Sequence, residues 1–177
     1  YGIMAELMGE KELANEHQSA AKAMAAKWES MANDGDHYKL TFDQAGTWSQ
    51  KYNLIWDKLF ASTIFASDIA TKEMSYYRTK QNKYGLPLDS RKTYTKSDWI
   101  LWSACLTDNP DDFKELLVPV YNYANETTTR MPLSDWHETT DGSSVGFRAR
   151  SVVGGYFMKM LENKMKAVKT TTAGKND

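Results

Sequence analysis

The chain has 177 residues, a formal net charge of −1, 41% hydrophobic residues and 25% charged residues. That is enough chain for one domain with a core, and too apolar a chain to stay disordered. It has no run of one charge sign, so it lacks the basic face that nucleic acid or an anionic membrane needs, and neither is expected as a partner. The single cysteine, Cys105, lies in an apolar helical pattern. It has no internal disulfide partner, reads as a small buried hydrophobe, and says nothing firm about compartment. His17, His37 and His137 show no HxxxH spacing, so no metal site is expected from them and no cofactor is implied. No signal peptide, transmembrane run or lipidation motif is present. The chain starts at Tyr1 without methionine, and Ile3, Met4, Leu7 and Met8 already repeat as in a helix. This reads as a piece of a longer protein.

In chain order, residues 1–9 read as a helix ending at Gly9. Lys11 to Ala32 is the next, with His17, Ala20, Ala21, Met24, Trp28 and Met31 on one face. Asn33-Asp34-Gly35-Asp36 stops it. Tyr38, Leu40 and Phe42 alternate with polar residues, as a short strand would. Thr47 and Gln50 have the spacing of a capping box and predict a helix through Phe60 with Trp56 in the core. Ser67 and Asp68 open another, to about Lys83. Thr95 and Asp98 repeat the box and open Lys96 to Leu106. Asn109 before Pro110 caps a helix to about Asn125, with Pro119 as a kink. A polar connection, Thr127 to Ser144, leads to a last helix from about Val145 to Lys166. The pattern predicts an all-α chain, one domain over residues 1–169, with a disordered tail over residues 170–177.

Chemistry is most concentrated between Lys83 and Trp102, a turn, a charged loop and a helix start. Asp98 reads either as the acid of a capping box at a helix dipole or as a carboxylate at the rim of a site. Asp89, Arg91 and Lys96 are either an ion-paired loop or a carboxylate clamp in which Asp89 orients Arg91. Asp135 and Trp136 pair an acid with a flat aromatic face, as small polar ligands require; the plainer reading makes Trp136 an anchor for the loop. His137 beside them is either a general base or an idle exposed histidine. Trp48, Asn53 and Trp99 complete the residues placed at a cleft. Arg148 and Arg150 suit either an anion site or, the plainer reading, an internal salt bridge with a loop acid, and Gly154-Gly155 suit close helix packing. Asn125-Glu126-Thr127 has the form of a glycosylation sequon.

Four stretches carry a family likeness: GTWSQKYNLIWDKLF (Gly46 to Phe60), KYGLPLDSRKTYTKSDWILW (Lys83 to Trp102), PLSDWHETTDG (Pro132 to Gly142) and ARSVVGGYF (Ala149 to Phe157). In these the chain resembles the six-hairpin helical domain of the glutaminase A family, large secreted fungal and bacterial proteins. The resemblance implies helical hairpins forming part of an (α/α)6 toroid, about half of the ring. It implies a secreted or periplasmic hydrolase converting L-glutamine to glutamate and ammonia without a cofactor. Residue type and placement then put acid/base work on Asp89, Asp98 or Asp135, and charge stabilisation on Arg91 and Lys96. Trp48, Asn53, Trp99 and Trp136 become substrate-contacting residues. An open half-ring would expose apolar helix faces, to be covered by other domains of the parent chain or by a second copy in a homodimer, and would be inactive alone. Six-hairpin toroids are also a glycosidase architecture, so a carbohydrate substrate stays open, as does a non-catalytic helical interaction module.

Overall fold

The computed structural model describes residues 1–129, 131 and 134–173. Among these the chain runs α1 (Gly2–Leu7), α2 (Lys11–Ala32), α3 (Ile55–Phe60), α4 (Asp68–Arg78), β1 (Tyr94–Lys96), α5 (Ser97–Ala104), α6 (Pro110–Glu126), β2 (Trp136–Glu138) and α7 (Met158–Ala173). Single 3-10 segments, Tyr52–Leu54 and Ser151–Phe157, lead into α3 and α7. The fold is all-α, with one small antiparallel ladder joining β1 to β2.

α5 is the hub. Ser97, Asp98, Ile100, Leu101, Ser103 and Ala104 are all buried, on every side of the helix. Its neighbours are α6, α7 and the 151–157 segment. The main core gathers Ile100, Leu101 and Ala104 with Met74 and Tyr77 of α4, Leu86, and Leu116 and Val120 of α6. A second core joins Ile55 and Leu59 of α3 to Cys105, Leu106 and Met158. Trp48 belongs to the main core, 6% exposed. It therefore packs the fold and does not line a cleft as expected. Trp56, expected inside, is exposed.

Several boundaries differ from the sequence reading for local physical reasons. Thr47 caps nothing: its hydroxyl donates to the Gln44 carbonyl. The Gln50 amide is spent on the carbonyls of Leu86 and Pro87 and the hydroxyl of Thr95, and regular helix begins only at Ile55. Among the described residues, 38–42 find no partner strand; Tyr38 forms a single bridge to Asn33 and its ring stacks on Trp28. α4 stops at Arg78, short of Lys83. Thr95 pairs with His137 in the ladder, so α5 starts at Ser97 with no side-chain cap. Asn109 does cap α6: its Oδ1 accepts from the Asp111 amide at 3.0 Å, and the helix runs on through Pro119. Residues 145–150 are not helical; Val145 donates to the Trp136 carbonyl, and Gly146 and Ala149 have φ of 62° and 47°. α7 continues to Ala173, past the point where the tail was expected to begin; residues 174–177 of that tail, and Pro132 and Leu133 of the third family stretch, lie outside the described residues.

Candidate functional site

The β1–β2 ladder sets the site. Its register puts Thr95 opposite His137 and Lys96 opposite Trp136. This brings the start of α5 against Asp135: the Ser97 amide donates to the Asp135 carbonyl at 2.7 Å, and the Ser97 hydroxyl to the same oxygen at 3.1 Å. The Ser97 hydroxyl also meets the Tyr156 hydroxyl at 2.6 Å.

The Asp135 side chain is fully buried, and buried carboxylates need partners. Lys96 Nζ lies 3.1 Å from its Oδ2, and Arg150 forks onto it with Nη2 at 2.6 Å and Nε at 3.2 Å. The Lys96 ammonium also sits 4.1 Å over the Trp136 ring. Burial alone would raise the Asp135 carboxyl; hydrogen bonds from Arg150 and Lys96 override it and hold it below its usual range. Asp98 goes the other way. Burial, reinforced by the Asp135 charge, pushes its carboxyl up to about 6, against the pull of the first-turn amides and of Lys96. Its Oδ1 is buried without a hydrogen-bond partner among the described residues. Two neighbouring carboxylates thus have opposed proton affinities, the arrangement that divides acid from base in one site.

Asn53, Asp89, Arg91 and Trp99 lie elsewhere, on a cleft of about 520 Å³ that Ser49, Lys51 and Tyr52 also line. Asp89 is buried and accepts from Arg91 through Nε at 3.0 Å, Nη2 at 2.7 Å and the backbone amide at 2.9 Å. The Arg91 side chain is 67% exposed. Trp99 is stacked face to face on Tyr52, centroids 4.1 Å apart. Tyr52 feels the Asp98 charge: burial and that carboxylate both raise its hydroxyl. The residues singled out in the sequence therefore separate into a cleft group and a buried acid group that meet along α5, at Asp98 and Trp99.

His137 is not an exposed loop residue. It is fully buried, stacked on Tyr123 at 3.6 Å, with Nε2 2.8 Å from the Tyr84 carbonyl. Burial lowers it to about 4, so it is a neutral core histidine. Gly155, as expected, allows close packing: a Cβ there would fall 2.7 Å from Trp102 Nε1, while Gly154 faces open space.

Sequence reasoning missed Ser97, Tyr156, Ser49 and Lys51. Lys51 is half-buried; its ammonium donates to the Tyr38 and Ser49 carbonyls at 2.9 and 3.0 Å and to the Ser49 hydroxyl at 2.9 Å. The only sequence signal is a lysine two residues after a serine, Ser49 and Lys51. Among the described residues no group of three His, Cys, Asp or Glu side chains could hold a metal ion, and no helix is long and apolar enough to cross a membrane.

Residues 1–160 match the glutaminase A six helical-hairpin domain. The chain is similar to a probable glutaminase of Arthroderma benhamiae, 34% identical over 163 residues, covering 74% of this chain and 19% of the relative. It is 30% identical over 168 residues to glutaminase A of Aspergillus oryzae, covering 90% of this chain and 24% of the relative. It thus spans about a fifth to a quarter of the length of these two proteins. A shorter likeness, 30% over 115 residues, links 62% of the chain to 41% of gas vesicle protein L1 of Halobacterium salinarum. No solved structure matches the chain. The helical architecture, the domain match over nearly the whole chain and two glutaminase-named relatives agree: the chain belongs to the glutaminase A family.

Proposed function

We propose that the chain is the C-terminal part of a secreted glutaminase A-like hydrolase that cleaves the side-chain amide of L-glutamine to glutamate and ammonia. The observation that carries this is the carboxylate pair at the start of α5, Asp98 raised to about 6 and Asp135 held low by Arg150 and Lys96. Amide hydrolysis needs a group that takes a proton from water and returns one to the leaving amine near neutral pH. Asp98 is tuned for that work, and Asp135 stays ionised and keeps it tuned. On the cleft side, Asp89 braces Arg91 so that its free edge can fork onto the substrate carboxylate. Asn53 and the Tyr52–Trp99 stack form the wall, Trp136 holds Lys96 in place, and opening of the stack admits the amide to Asp98.

On this reading the protein works outside the cell or in the periplasm. The apolar faces left exposed at Met24, Met160 and Leu161 are covered by other parts of a longer parent chain or by a second copy, and the 177-residue piece alone is inactive.

The test is ammonia release from L-glutamine by the full-length parent. Asp98→Asn is expected to lower kcat/KM about a hundredfold or more, roughly 2.7 kcal/mol of barrier. In the unaltered protein kcat/KM is expected to rise with pH through the Asp98 value of about 6 as the base ionises. A folded parent that releases no ammonia, or that turns over a glycoside instead, overturns the reading.

A further inference from the structure

The sequon at the end of α6 has no part in the acid pair or the cleft. Asn125-Glu126-Thr127 is the only Asn-X-Ser/Thr triplet in the 177 residues, and neither Glu126 nor Thr128 is proline. The fold treats its three residues differently. Glu126 accepts from the Tyr84 hydroxyl at 2.9 Å and pairs with Lys83 at 2.8 Å. The Thr127 hydroxyl donates to the Gly142 carbonyl at 2.6 Å. Asn125 is exposed, and its side chain makes no hydrogen bond among the described residues.

Helix geometry fixes the side on which Asn125 stands. Leu116, Val120 and Tyr123 belong to the buried face of α6. At about 3.6 residues per turn, Asn125 falls on the opposite face. Tyr121, one turn before it, and Val118, two turns before it, share that face and are 64% and 43% exposed. The helix ends at Glu126, and Thr127 leaves it with φ −54° and ψ 133°. Asn125 therefore closes an exposed apolar stripe at the open end of the helix.

We propose that Asn125 is the acceptor for an N-linked glycan, which covers the Val118–Tyr121 stripe and keeps the outer face of α6 in solvent. In the transfer, Asn125 Nδ2 loses a proton and bonds to the anomeric carbon of the first sugar. The bond from that carbon to the pyrophosphate of a polyprenyl-linked oligosaccharide breaks, and the lipid pyrophosphate leaves. The added sugar is bulky and solubilising, and Tyr121 offers it a flat face to rest on. In the folded chain the Thr127 hydroxyl is engaged by the Gly142 carbonyl, so the triplet is fully open only before that loop docks, and the sugar is added to the emerging chain. The inference rests on the reading that the parent is exported. It also sorts the exposed apolar residues: the faces at Met24, Met160 and Leu161 receive neighbours, and the outer face of α6 does not.

The experiment secretes the full-length parent from yeast behind an added export leader and reads the tryptic peptide of residues 115–130 by mass spectrometry. That peptide is expected to be heavier by N-acetylhexosamine and hexose units, which peptide-N-glycosidase removes. Asn125→Gln and Thr127→Ala are expected to lose the added mass, and Thr127→Ser to keep it. Thr127→Ala also loses the bond to Gly142, whereas Asn125→Gln removes only the acceptor, so misfolding of the threonine variant leaves the test intact. On a phenyl column the deglycosylated parent is expected to elute later than the glycosylated one, and Tyr121→Ser to shrink that shift by about half or more. An unmodified 115–130 peptide in a secreted, folded parent overturns the proposal, and a shift of the same size in Tyr121→Ser overturns the covering role. The readings also separate: ammonia release by a parent with a bare Asn125 overturns this inference alone, and a glycan on Asn125 without ammonia release overturns the glutaminase reading alone.

Discussion

Asp98 and His137 are both buried, both feel the Asp135 charge, and titrate in opposite senses. His137 is lowered from 6.5 to about 4 in the folded chain. The unfolded chain therefore binds that proton first. The stability His137 supplies is complete above 6.5 and is lost as pH falls toward 4, about 3 kcal/mol in all. Asp98 is raised from 3.8 to about 6, so there the folded chain binds the proton first. Stability is regained as pH falls from 6 toward 3.8, again about 3 kcal/mol. The two effects offset over the same window. In urea unfolding the Asp98→Asn variant is expected to lose about 3 kcal/mol more stability than the parent on acidification from about pH 6 to pH 4. A variant that follows the parent's pH dependence would show that the Asp98 carboxyl is not raised by folding. Asp135 adds acid sensitivity only at lower pH, since its folded carboxyl titrates below the usual range.

At the scale of elements, the loop between β2 and α7 decides where Trp136 lies. Gly146 has φ of 62°, and a Cβ there would fall 2.2 Å from Trp136 Cζ3. Gly146→Ala combines left-handed strain with overpacking, an expected loss of about 2–4 kcal/mol. The ring must shift, and Lys96 loses the aromatic face above which it sits. Gly154→Ala, in open space, is the control, with little change in Tm; equal losses in both would rule out the steric account. What could be read from the sequence follows the range of each interaction. Asn109-Pro110 caps α6 through a bond two residues away, so spacing revealed it. The Thr47–Gln50 box failed because the Gln50 amide is claimed by carbonyls at 86 and 87. The β1–β2 ladder pairs three-residue strands, Tyr94–Lys96 with Trp136–Glu138, across the whole of α6. No local pattern announces such a pairing, and it is the pairing that brings Asp98 to Asp135. Trp48 was misplaced because an aromatic beside polar residues looks the same whether a core or a cleft receives it.

At the scale of the whole molecule, helix content and family were legible, but the division of acidic residues between cleft and core was not. α2 adds a different consequence. It has 22 residues and buries only Ala14, Ala25 and Ala32. Its C-terminal end is fastened to the body by the Trp28–Tyr38 stack, by Ala32 against Ile69, and by Lys72 donating to Asn33 at 2.7 Å. Its N-terminal half rests on α1, through Gly2 against Gln18 and Gln18 donating to Glu6 at 3.0 Å. The result is a rod about 33 Å long clamped at one end. Such a rod frays from its loose end at a fraction of the free energy of global opening. In deuterium exchange, amides around residues 14–22 are expected to be replaced first, those near residue 30 later, and those of α5 last; uniform protection along α2 would overturn this. The hairpin then behaves as a hinged flap whose opening leaves the acid pair in place.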